Sequence, residues 1–190
     1  MQPMPVSASI GERWHIDSWG PFIDGTQKYY IIGAVESLTK FFVGKVTKSK
    51  SMPTFTDFII NDIVYRFGIP NVLVSDQAAE IPGLKNNLIN ILGITRIRTS
   101  AYSPRSIGEI ERRWRTMREF FQRNTSTPFH DMTKLLPVFL FACNIAPCKA
   151  TGHSPFYQMM GYTPSSARIY KHFCPKPSQA TFAQNSTESR

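Results

Sequence analysis

Apolar and polar positions change their period several times along the chain. RWHIDSW (13–19) alternates as a short strand does. KYYIIGAVES (28–37) and KFFVGKVTK (40–48) are rich in aromatic and β-branched residues, and the turn between them makes a hairpin that follows the first strand. From 53 to 68 the spacing of Phe55, Phe58, Ile59, Ile63 and Phe67 is helical, and Gly68 and Pro70 close that helix. NVLVSD (71–76) is a short apolar run that fits a buried strand, 81–93 predicts a helix ending at Gly93, and TRIRTS (95–100) alternates again. A loop is expected over 101–108. A helix over 109–124 carries Ile110, Trp114, Met117 and Phe121 as an apolar stripe, and further helices are expected near 130–146 and 155–160.

Three strands, helix, strand, helix, strand and closing helices describe an α/β domain: a mixed five-stranded sheet flanked by helices. This is the element order of the ribonuclease H-like fold. The expected organisation is a linker or extended arm over 1–12, rich in Pro and small residues, a core over 13–165, and a polar, disordered tail over 166–190.

Charge changes the picture more than composition does. The chain of 190 residues carries 22 basic against 13 acidic residues, a net charge of +9, which favours polyanionic partners, nucleic acid first among them. No apolar run reaches the ~18 residues of a membrane span, and the N-terminus lacks a secretory pattern. Cys143, Cys148 and Cys174 make no disulfide framework and suit a reducing compartment. The spacing of Cys143, Cys148 and His153 matches no standard zinc pattern, so they read as ordinary core and loop residues.

Three carboxylates sit where carboxylates are costly. Asp17 lies inside the first strand, Asp76 ends the apolar run of the fourth, and Glu111 lies one turn into the 109–124 helix. Any one of them alone suits a cap, a turn or a surface charge. Together they are the ligands that Mg²⁺ and Mn²⁺ prefer, and two such ions on phosphate support in-line phosphoryl transfer. Glu111, Arg115 and Arg118 step by four and three, so a carboxylate and two guanidinium groups share one stripe of the helix. That stripe suits a DNA strand, although an exposed face with Glu–Arg pairs would show the same pattern.

At this point the sequence resembles the catalytic core of retroviral and gypsy-type LTR-retrotransposon integrases. Five segments carry the likeness: ERWHIDSWGPF, RFGIPNVLVSDQAAEI, TSAYSPRSIGEIER, FACNIAPCKATGHSPF and MGYTP. They span most of the chain, and the interval between Asp76 and Glu111 is close to the family's usual gap. The resemblance implies that Asp17, Asp76 and Glu111 are the catalytic, metal-binding triad for two Mg²⁺ or Mn²⁺ ions. It implies that Tyr102, Arg105, Arg115 and Arg118 contact DNA, and that Gly108 is a loop hinge. It further implies 3′-end processing and strand transfer, with element DNA ends and target DNA as partners, a homo-oligomer as the working unit, no membrane, and the nucleus as the site of action after cytoplasmic synthesis.

The departures from the family's pattern are Ala78 for Gly, Ile81 for an aromatic residue, Ser103 for His, Ile107 for Asn or Gln, and Glu36 for Asp. None falls on the triad. They motivate an alternative, a catalytically silent host-adopted or degraded core that binds nucleic acid or protein. A nuclease of the ribonuclease H type ranks last, because the 102–111 and 151–155 segments resemble integrase. The Pro-rich start is expected to be the linker that follows the family's N-terminal zinc module, which makes Met1 a candidate internal methionine.

Overall fold

The computed structural model describes residues 9–76, 91–99, 104–124, 130–148 and 151–165. Within these, the side chains of Asp24, Asp76, 98–99, 104–109, Asn124 and 130–132 lie outside the description. Five strands form one sheet in the order β3-β2-β1-β4-β5. Strands β1 (Arg13–Asp24), β2 (Gln27–Glu36) and β3 (Phe42–Thr47) are successive antiparallel neighbours. Strands β4 (Val72–Asp76) and β5 (Thr95–Thr99) continue the sheet in parallel from β1. The expected mixed α/β sheet is therefore the one observed.

A single helical stretch follows β3. It consists of α1 (Met52–Phe58), a π-helical segment (Ile59–Val64) and α2 (Tyr65–Phe67). Pro53 in the first turn costs no helical hydrogen bond there. Gly68, at φ 92°, ends the stretch as its sequence predicted. Next come α3 (Pro104–Asn124), α4 (His130–Ile145) and α5 (Pro155–Met160). Ser154 caps α5 by accepting from the Tyr157 N–H, and Gly161 closes it in the left-handed conformation.

Each face of the sheet has its own core. On one side Phe55, Phe58, Ile59 and Ile63 pack on Trp14, Ile16, Ile32, Ala34 and Leu73. On the other, Ile110, Trp114, Met117 and Phe121 of α3, with Leu136 and Phe139 of α4, pack on Ile31, Val35 and Phe42. The apolar stripe of α3 is thus buried as expected. Alternation along β1 sorts the faces: Trp14 and Ile16 enter the first core, and Arg13, His15 and Asp17 occupy the opposite row.

Two polar side chains hold the hairpin edge. Glu36 is fully buried, and its Oε2 accepts from Leu38 N, Thr39 N and Thr39 Oγ1, which ties the β2–β3 turn. This family departure is a turn residue, paired across the sheet with Trp14. Asn144 of α4 accepts from Phe42 N and donates to Phe42 O, both at 2.8 Å, so it stands in for a neighbouring strand on edge strand β3.

Some boundaries differ from expectation. Strand β1 runs on to Asp24, because an irregularity between Trp19 and Phe22 accommodates Gly20 and Pro21 without ending the pairing. Helix α3 begins at Pro104, where 109 was expected, since proline suits the first turn. Gly108 therefore lies in helical backbone, not in the loop for which it was proposed as a hinge. Of the helix expected over 81–93 only the end is described, with Gly93 at φ 69°. The tail beyond 165, residues 1–8 and residues 101–103 of the expected loop, including Tyr102, lie outside the described residues.

Candidate active site

The site is built on the middle of the sheet. His15 of β1 pairs with Val74 of β4, and Asp17 and Asp76 each lie two residues beyond that pair. The pairing of β1 with β4 ends at that pair, and each aspartate follows it on the same side of its own strand as the paired residue. Asp76 also pairs with Thr99 of β5. The crevice beyond the carboxyl ends of parallel strands is the usual ligand position of open α/β sheets.

Asp17 is half-buried and held at both oxygens. Its Oδ1 accepts from Ser18 N at 2.7 Å, and its Oδ2 accepts from Trp114 Nε1 at 2.8 Å. A hydrogen bond to a charged acceptor contributes about 1.5–3 kcal/mol. Donors at both oxygens fix the plane of the carboxylate.

Helix α3 brings Glu111 into play. Trp114 and Ile110 are buried against the sheet, while Glu111, between them in sequence, is exposed. Arg115 and Arg118 are exposed as the stripe predicted. The Arg118 guanidinium lies 5.7 Å from the centroid of the Trp19 ring, a cation–π contact. Trp19 also meets Phe22 edge-on at 4.6 Å and Trp114 at 6.2 Å. Arg113 faces away from this row and donates to Lys40 O at 3.1 Å.

Asp17 and the helix that bears Glu111, Arg115 and Arg118 are thus joined through Trp114 and the Trp19 ring. Arg105 is the second residue of α3, but its side chain, like that of Asp76, is outside the description. Among the described residues no three His, Cys, Asp or Glu side chains form a metal cluster. The donor set nonetheless fits a hard divalent cation, since it consists of carboxylates and Asp17 is already oriented by two donors.

Sequence reasoning missed the aromatic half of the site. Trp114 was read only as a core residue and Trp19 only as a strand residue. One signal was available: a buried tryptophan needs an acceptor for its N–H, and this one sits on the same helix as a candidate ligand.

No protein-family model matches the sequence. The chain is 28% identical over 159 residues to the Gag-Pol polyprotein of avian reticuloendotheliosis virus, a match covering 83% of this chain and 14% of that protein. It is 24% identical over 164 residues to the retrovirus-related Pol polyprotein from transposon 412 of Drosophila melanogaster, covering 85% of this chain and 13% of that one. The chain therefore spans a small part of the length of these relatives. Among solved structures, the catalytic core domain of HTLV-2 integrase, in complex with magnesium and in dimeric form, superposes with a TM-score of 0.62 at 11% identity, covering 78% of this chain and 96% of that one. The fold is that of an integrase catalytic core. The likeness to retroviral and retrotransposon Pol proteins expected from five short segments extends over most of the chain. Among the described residues, no helix of this integrase-like core is long and apolar enough to cross a membrane.

Proposed function

We propose that this chain is an integrase catalytic core that performs divalent-metal-dependent phosphoryl transfer on DNA. The observation that supports the proposal is the register of β1 and β4, in which Asp17 and Asp76 each follow the last shared pair by two residues, on a sheet covered by the helix that bears Glu111. In this reading Asp17, Asp76 and Glu111 would hold two Mg²⁺ or Mn²⁺ ions, which would supply activation of the attacking oxygen and charge stabilisation on the leaving one. The protein contributes placement. Arg115 and Arg118 would bind phosphates next to the scissile one, with Tyr102 and Arg105 as further DNA contacts.

In end processing a water oxygen forms a bond to phosphorus, the P–O3′ bond breaks, and the freed 3′ oxygen takes up a proton. In strand transfer that 3′-hydroxyl attacks a target phosphate and gives up its proton, while the target's own 3′ oxygen leaves. The partners are element DNA ends and target DNA. Joining two ends at paired phosphates calls for a homo-oligomer, and the dimeric form of the HTLV-2 core supports that expectation. Such chemistry assigns the protein to the nucleus.

The test is nicking and strand joining on branched DNA with Mg²⁺ or Mn²⁺, comparing the chain with its Asp76→Asn variant. Loss of activity in the variant, with the fold intact by circular dichroism, is the expected result. Equal activity in both would remove Asp76 from the site. Silence in both, with DNA binding that weakens on replacement of Arg115 and Arg118, would favour a binding module instead.

A further inference from the structure

Trp114 joins the two halves of the site. It lies on α3 three residues after Glu111, and its indole N–H donates to Asp17 Oδ2 at 2.8 Å. The ring is 6% exposed, and its place is made by a missing side chain. Gly33 of β2 is the register partner of Asp17. A Cβ at Gly33 would come within 2.7 Å of Trp114 Cη2 and 2.9 Å of Phe42 Cε2, closer than Cβ contacts occur. The six-membered end of the indole therefore rests over Gly33, and the N–H end reaches across to Asp17. Phe42 meets the ring edge-on at 5.8 Å, and Trp19 flanks it at 6.2 Å. With both ends of a rigid ring fixed, neither the indole nor the carboxylate has freedom to turn.

We propose that Trp114 is a positioning residue: seated in the Gly33 socket, it sets the orientation of the Asp17 carboxylate and couples it to the helix turn that carries Glu111. The proposal rests on the reading of Asp17 and Glu111 as metal ligands. A donor that orients a ligand from behind typically accounts for about 10- to 100-fold in metal affinity. Phenylalanine at position 114 keeps most of the ring and removes the N–H. Alanine at position 33 keeps the indole and evicts it from the socket. The two changes break the same link from opposite ends.

The experiment uses the full chain and two readouts. The first is the set of three indole N–H resonances in a ¹H–¹⁵N spectrum, one for each tryptophan. Trp14, whose Nε1 donates to Gly11 O at 3.2 Å, serves as the internal control. Addition of Mg²⁺, or the Asp17→Asn change, is expected to move the Trp114 resonance and leave that of Trp14 in place. The second readout is Mn²⁺ affinity by electron paramagnetic resonance. Trp114→Phe and Gly33→Ala are each expected to weaken it about 10- to 100-fold, and Asp17→Asn to abolish it.

A Trp114 resonance that Asp17→Asn leaves unmoved overturns the proposal, whether or not the position-114 variant folds. So does Mn²⁺ affinity in Trp114→Phe within about twofold of the parent while Asp17→Asn binds none, and in that case the metal reading stands. A parent chain that binds no Mn²⁺ overturns the metal reading and the coupling together.

Discussion

The two faces of the sheet carry comparable aromatic cores, yet they solve different problems. The face under α1 and the π segment is packed by Phe55, Phe58, Ile59 and Ile63 against Trp14, Ile16 and Leu73, and the Trp14 N–H there donates to a backbone carbonyl, Gly11 O. The face under α3 has an equally buried stripe, but Asp17 projects into its margin, and the stripe contributes a hydrogen-bond donor to it. On the first face aromatic residues stabilise by removing area from water. On the second the same chemistry also fixes a charge in place. A residue such as Phe58 on one side is therefore exchangeable for volume, whereas Trp114 on the other is tied to a carboxylate.

The largest expected effect breaks the first face. Phe58→Ala empties a site of no exposure, and unfolding in urea should show a loss of about 3–5 kcal/mol. DNA and Mn²⁺ affinities, measured where the variant is still folded, should stay at parental values. A shift in either would couple the α1 core to the site and erase the contrast.

Arg118→Ala should do the reverse. The residue is exposed, so stability should change by no more than about 0.5 kcal/mol. Affinity for DNA should fall, and the slope of log affinity against log salt should become shallower by about one phosphate contact. A parental salt slope would confine Arg118 to its contact with Trp19.

The smallest effect belongs to the ion pairs beside the α1 face. Lys45 meets Asp57 at 2.9 Å and Asp62 at 3.8 Å. The hydrogen bond to Asp57 raises the Lys45 ammonium above its ordinary value of 10.5, against a smaller lowering by burial. A raised lysine contributes stability below its unfolded value and loses it as pH climbs through the folded one, so any contribution should fade above about pH 10.5. Both side chains of the Lys45–Asp57 pair are substantially exposed, so Lys45→Met should cost under about 1 kcal/mol near neutral pH, read by urea unfolding. A larger loss would make this edge an electrostatic element of the core.

Much of the architecture was legible because periods change where faces change. The hairpin, the strand ending at Asp76, the stripe of α3 and the closing helix at 155–160 lie where apolar spacing put them. The misplacements share a cause. Gly20, Pro21, Pro104 and Gly108 look like breaks in a linear reading, but a strand irregularity absorbs the first two and a helix contains the others. The π segment over Ile59–Val64 left no mark in the pattern, because its buried positions also satisfy helical spacing.

The sequence by itself determined the chemistry available to this protein: which residues carry carboxylates, which helix carries the arginines, and which stretches have a buried side. Those follow from residue type and local period, which need no partner. Only the tertiary structure decided that the strands of Asp17 and Asp76 are parallel neighbours, that Gly33 opens a socket opposite Asp17, and that Trp114 fills it. These depend on strand register and on a ring crossing between elements distant in sequence, and the spacing along one chain encodes neither.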